Sequence, residues 1–190
     1  MAPSAASEPK RSAQEGIFME DLIERAKKYA KGAGWTGLGH YDAAHKSESK
    51  SKWLVWLNVT LSAIVGASVF SKLVQEWPIL TGAIALTAAA VGAIQASSKL
   101  ADNSERHRVA GARYGRLRRL ADMLKLKAEG NDIDRKSALT ELEMIGEELS
   151  KLAKESLSLP DSIYYPAKSK FDKDHPEYIL KSDLSDSHDT

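Results

Sequence analysis

The sequence contains no cysteine, which excludes disulfides, zinc–thiolate centres and thiol nucleophiles. No charge of one sign prevails. Lys and Arg number 27 against 26 Asp and Glu, so net charge gives no reason to expect a nucleic-acid partner, and none is assigned. Residues 1–16 are polar, hold two prolines and lack an apolar h-region. They are read as a disordered N-terminus, with no cleavable signal peptide. No Ser-His-Asp set stands in a supporting local context, and no carboxylate pair suits acid–base work. The chain is therefore read as no enzyme, with no catalytic residue, no metal site and no cofactor.

What is present is a contrast along the chain. Mean hydropathy is −0.36, but that value averages polar ends with an apolar middle. Residues 53–71, WLVWLNVTLSAIVGASVFS, carry no charge, and neither do residues 77–98, WPILTGAIALTAAAVGAIQASS. The runs are 19 and 22 residues long. At about 1.5 Å per residue a helix of that length covers roughly 30 Å, the thickness of a bilayer core. Only Lys72 to Glu76 lies between them, which forces a hairpin. Trp53, Trp56 and Trp77 sit at the ends, where interfacial aromatics belong, and Pro78 suits a first helical turn. The competing reading is a buried hairpin in a soluble bundle, but soluble helices of this length normally carry a polar stripe. Lys46, Lys50 and Lys52 precede the first run, and Lys99, Arg106, Arg108, Arg113, Arg116 and Arg118 follow the second. The connection holds Lys72 alone. The positive-inside rule then predicts a multi-pass protein in the lipid bilayer with both termini cytoplasmic.

The faces of the runs differ. Gly82, Ala85, Ala89, Ala93 and Ala96 share one side of the second helix, and Leu80, Ile84, Val91 and Ile94 share the other. Small residues let helices approach closely in lipid, which predicts a homo-oligomer. In the first run Asn58, Ser62 and Gly66 form a stripe at four-residue spacing. Antiparallel pairing would put Asn58 and Gln95 at similar depth. These side chains are read either as packing groups or as the lining of a wet passage. No ionisable group lies inside either run, which argues against an ion-coupled transporter.

The rest of the chain is predicted to be helical, giving an all-α class: a two-transmembrane helical hairpin with cytoplasmic N-terminal helices and a C-terminal helical hairpin. Residues 17–31 recur with helical spacing. KGAGWTGLG, residues 31–39, reads as a glycine-rich break without the Lys-Ser/Thr of a P-loop, and residues 40–52 as a short helix into the first span. The second span is predicted to continue through Lys99 to about residue 129, where Gly130-Asn131 ends it. Asp132 or Asp134 caps a helix from about 134 to 157. Its stripe of Leu139, Leu142, Ile145, Leu149 and Leu152 is expected to pack on Leu117, Leu120 and Leu124. Residues 158–190 read as a flexible polar tail.

Residues 102–119, DNSERHRVAGARYGRLRR, hold six arginines, one histidine and two acids. They are read as a basic ring below a pore, or as a juxtamembrane helix meeting lipid head groups and acidic partners. The candidate coupling residues are Glu105, Arg106, His107, Arg108, Arg113, Tyr114 and Arg116. His40, His45 and His107 lack the spacing of a helical metal pair.

Several short stretches, taken in order, resemble one family. They are His40-Tyr41-Asp42-Ala43-Ala44, Leu61-Ser62-Ala63-Ile64-Val65-Gly66 with Ser68-Val69-Phe70, and Trp77 with Ile79-Leu80-Thr81-Gly82. After them come Ala93-Ile94-Gln95, then Glu105-Arg106-His107-Arg108 with Ala112-Arg113-Tyr114. Their order around a two-span hairpin resembles the SLATT domain, the two-transmembrane effector domain found beside nucleotidyltransferase and SLOG sensor genes in prokaryotes. The resemblance covers roughly residues 17–157. It implies a membrane effector of a conflict or anti-phage system, in the inner membrane, that oligomerises and breaches the bilayer when a partner sensor triggers it. The partners it implies are nucleotide-sensing or nucleotidyltransferase proteins. A non-enzymatic membrane adaptor and a constitutive channel subunit remain as alternatives.

Overall fold

The computed structural model describes residues 8–70, 76–178 and 180. Helices account for nearly all of them: α1 is Glu8–Phe70, α2 Pro78–Ser97, α3 Leu100–Glu129, α4 Arg135–Glu155 and α5 Asp161–Asp174. A 3-10 turn follows at Pro176–Tyr178, and no strand occurs among the described residues. The chain divides into two compact units. One holds Met1–Tyr41 and Val109–Thr190, the other Asp42–Arg108. Both α1 and α3 contribute residues to each unit.

The first unit is a bundle of four helical segments. Its core joins Leu22, Ala26 and Ala30 of α1 to Ala121, Leu124 and Ala128 of α3. Ala138, Leu142 and Ile145 of α4, with Phe171 and Tyr178, complete it. Alanine is frequent because the helices approach closely. The expected stripe of α4 is present, but Leu139 is turned out to solvent and Ala138 takes the inward place. Leu120 and Leu149 are only partly buried.

Four expectations about the helices are overturned. KGAGWTGLG is no break, because α1 continues through it. Four helical glycines lose about 0.8–1 kcal/mol each relative to alanine, which is why the sequence reads as a break. Tertiary packing offsets that cost. A Cβ on Gly37 would lie 3.2 Å from the Tyr114 Cβ and 3.4 Å from the Gly111 carbonyl oxygen. One on Gly34 would collide with the Phe171 ring. Gly37 marks a close approach of the α1 and α3 backbones, and Gly34 makes room for the Phe171 ring. The separate helix expected at 40–52 is accordingly part of the same α1. Residues 158–190 are not a flexible tail throughout. Asp161–Asp174 is helical, and Ala167, Phe171, Tyr178 and Leu180 are buried. A sparse apolar pattern hid this, since a few large residues suffice to anchor a short helix. The N-terminus expected to be disordered to residue 16 is helical from Glu8.

The ends of α3 and α4 follow the sequence closely. Asn131 adopts φ 54°. Asp132 N–H donates to the Lys127 carbonyl at 2.9 Å and Asn131 N–H to that of Ala128 at 3.3 Å, a Schellman closure. Asp134 caps α4, accepting from the Lys136 and Ser137 backbone N–H groups at 3.0 and 3.1 Å. The Ser137 hydroxyl donates to it at 2.6 Å and is the main reason its carboxyl is held below the usual range.

In the second unit the last part of α1 runs antiparallel to α2 and the start of α3. The Ser104 hydroxyl donates to the Ala44 carbonyl at 3.0 Å, and the Asn58 amide sits 3.7–3.8 Å from where a Gly92 Cβ would be. The expected continuous helix from span into α3 is interrupted. Ser98 ends α2, and Lys99 takes a left-handed φ of 43° before Leu100 restarts the helix. A non-glycine residue there is strained, and the interruption falls where the uncharged run ends. The connection expected to face outside, Leu73 to Glu76, lies outside the described residues apart from Glu76.

Candidate functional site

The uncharged runs form an inverted structure, with apolar side chains outward. α2 buries no residue at all. Trp53, Val55, Trp56, Val59 and Ile64 are exposed on α1, and Ile79, Leu80, Leu86 and Ile94 on α2. By length and composition Pro78–Glu129 is the one helical stretch among the described residues able to cross a membrane, and its apolar window is 0% buried. The sequence anticipates two such stretches. Ser71, the end of the first run, lies outside the described residues.

Polar atoms on α2 are satisfied within the helix. Thr81 and Thr87 hydroxyls donate to the carbonyls of Trp77 and Ala83 at 3.2 and 2.8 Å. Ser97 and Ser98 donate to Ile94 and Gln95 at 3.1 and 3.0 Å. Those are all the hydroxyl side chains of residues 77–98. Internal pairing is what a hydrocarbon environment demands, because no solvent is there to replace it. Gln95 Oε1 is the exception: it is buried between the helices without a hydrogen-bond partner.

The candidate span residues separate into two sets. Asn58, Ala85 and Gln95 are half-buried on the seam between the helices. Ser62, Gly66, Gly82, Ala89 and Ala93 are exposed, and a Cβ on Gly66 or Gly82 would meet open space. Of the stripe Asn58, Ser62 and Gly66, Asn58 is half-buried and the other two are exposed. Ile84 and Val91, placed by the sequence opposite the small residues, are themselves half-buried.

The basic residues after α2 also fall into two groups. In the second unit, Glu105 and Arg106 are exposed. Arg108 pairs with Glu48 at 2.9 Å, and Lys52 with the same carboxylate at 2.7 Å. The Lys52 hydrogen bond is the first cause that holds the Glu48 carboxyl below its ordinary range. Arg108 and Glu48 meet because helical side chains lean toward their own N-termini, and these helices are antiparallel. His107 is buried, and burial first, then the Arg106 charge, lowers its pKa below the ordinary imidazole range.

In the first unit, Arg113 reaches Glu155 at 3.0 Å. Arg113 and Arg116 line one cavity of about 290 Å³ with Glu148. Tyr114 points the other way, 5% exposed and stacked on the fully buried His40 with ring centroids 5.4 Å apart. Sequence reading missed Arg118, which is central to the bundle. Its guanidinium lies 5.0 Å from the Phe171 ring and 5.2 Å from that of Tyr178. The Tyr178 hydroxyl donates to Asp122 at 2.7 Å, and burial first, then this hydrogen bond, raises its pKa. No signal near residue 118 foretold this, because the partners lie in the segment read as a tail. Among the described residues, no group of three or more His, Asp or Glu side chains is gathered to hold a metal.

Fold and site together define an all-helical protein with an apolar, outward-facing helical pair and a bundle rich in buried alanine. Compared with family models, with curated proteins and with solved structures, the chain matches none.

Proposed function

We propose that the protein is a two-span membrane protein that self-associates through its exposed small residues and breaches the bilayer when its cytoplasmic bundle is triggered. The observation that carries this reading is α2: uncharged for its whole length, paired internally at every hydroxyl, and exposed on every large apolar side chain that points away from the seam. A soluble protein would bury such a helix. The resemblance to SLATT effectors supplies the wider role, a conflict or anti-phage system of the inner membrane with a sensor as partner. Both termini and the bundle are cytoplasmic in this reading, on the Lys and Arg excess flanking the runs.

One hairpin cannot enclose water, so several copies must contribute to a lumen. Ser62 and Gly66 on α1, with Gly82, Ala89 and Ala93 on α2, are the surfaces open to neighbours. A narrow lumen of small and apolar groups stays dry and closed at rest. Since α1 and α3 each belong to both units, they are the route by which an event in the bundle reaches the spans.

Ala89→Leu or Gly82→Leu is expected to reduce crosslinked oligomer in native membranes to a small fraction of wild type, because a bulky side chain separates the backbones. Ile84→Ala, on the seam, is expected to leave the oligomer largely intact. Equal loss from both would place the interface elsewhere. Separately, expression together with the partner system is expected to collapse the membrane potential on triggering, read with a depolarisation dye. Cells that keep their potential under full triggering would remove the pore and favour the adaptor.

A further inference from the structure

The bundle also carries a larger, open cavity of about 510 Å³. Its wall carries three lysines, Lys28 and Lys31 of α1 and Lys168 of α5, and no carboxylate. Trp35 stands between two of them, with Lys168 Nζ 5.1 Å and Lys31 Nζ 5.8 Å from its ring. Tyr29 and Tyr114 complete the aromatic wall.

The three lysines differ in burial: Lys28 is exposed and Lys168 half-buried. Lys31 is only 7% exposed and meets Asp172 at 3.4 Å. Lys28 and Lys168 have no ion pair among the described residues. Cations that converge on one partly enclosed space raise its positive potential and favour an anion there. Aromatic walls add a preference for a planar ring, through stacking and edge contacts. The volume falls within the usual range for small-molecule sites, about 300–1,000 Å³. The arginine-lined cavity differs on both counts, having Glu148 on its wall and no aromatic side chain.

We propose that this cavity binds a nucleoside phosphate, with the phosphates on Lys28, Lys31 and Lys168 and the base against Trp35 and Tyr29. The proposal rests on the bundle alone, so it stands or falls separately from the membrane reading.

The test uses the full-length protein in detergent micelles and the fluorescent probe mant-ADP, followed by polarisation. Binding displaced by ADP, with adenosine and inorganic pyrophosphate each weaker by about tenfold or more, is the expected result, since either alone fills half of the site. Lys168→Glu and Lys28→Glu are each expected to weaken mant-ADP binding by about tenfold or more through loss of a charge-assisted contact. Lys136→Glu, at an exposed position of α4 outside the cavity wall, should leave it unchanged. Should Lys168→Glu lower the melting temperature, Lys28→Glu decides, because its side chain is exposed. No mant-ADP binding at millimolar concentration overturns the proposal. So does displacement by pyrophosphate as effective as by ADP, or equal loss in Lys136→Glu.

Discussion

Gly37→Leu is expected to lower the melting temperature of the helical bundle sharply. At this position two opposing effects can be weighed. Replacing a helical glycine gains about 0.8–1 kcal/mol of propensity. The new side chain, however, meets the Tyr114 Cβ and the Gly111 carbonyl within 3.4 Å, and neither is the flexible end of a side chain. Overpacking costs about 1–3 kcal/mol and occasionally more, and with rigid backbone and Cβ atoms as the neighbours the upper end applies, so the loss wins. Gly32 is the internal control. Nothing lies within 4 Å of its Cβ position, so Gly32→Ala should keep the propensity gain and raise the melting temperature by about 2–4 °C. Thermal unfolding of the full-length protein in detergent measures both. A tolerated Gly37→Leu would mean that α1 and α3 do not cross where these two glycines meet.

Phe171→Ala is expected to release the C-terminal segment from the bundle. Phe171 is 2% exposed, and its ring meets His175 at 4.7 Å, Tyr178 at 5.7 Å and the Arg118 guanidinium at 5.0 Å. Truncating a buried phenylalanine costs about 3–5 kcal/mol. The melting temperature should fall by about 10 °C, and protease cleavage between residues 161 and 180 should accelerate. Arg118→Ala should have a smaller effect, because it removes the cation over the rings but leaves them packed. A Phe171→Ala protein with wild-type stability and protease resistance would return this segment to the status of a loose tail.

Much of the fold was legible because it rests on long, regular patterns. The two uncharged runs, the end of α3 at Gly130-Asn131 and the Asp134 cap can each be read from residues adjacent in sequence. What escaped was set by distant partners. The glycines of residues 31–39 signal a break on propensity, yet Gly37 serves a helix crossing whose other half lies far along the chain, at Gly111. The C-terminal helix escaped because its anchors, Ala167, Phe171, Tyr178 and Leu180, are too few to show periodicity. Of the span residues, the sequence grouped Asn58, Ser62 and Gly66 by spacing alone. In the structure Asn58 is half-buried, while Ser62 and Gly66 are exposed. The basic segment after α2 was recognised as dense in charge. That Arg108 would hold Glu48 depended on a partner 60 residues away. That Arg118, rather than Arg113 or Arg116, would organise the bundle depended on Tyr178, which lies 56 residues beyond its hydrogen-bond partner Asp122.

The central claim is that residues 53–71 and 77–98 both cross a bilayer, leaving the connection outside. The native chain has no cysteine, so a single Glu76→Cys substitution supplies the only reactive thiol. Intact cells expressing this variant are treated with a membrane-impermeant maleimide, and their membranes are then washed in alkaline carbonate. Two spans with the connection outside require labelling at position 76 without permeabilisation and a protein that stays in the membrane pellet. Labelling only after permeabilisation, or release into the carbonate supernatant, would contradict the two-span hairpin.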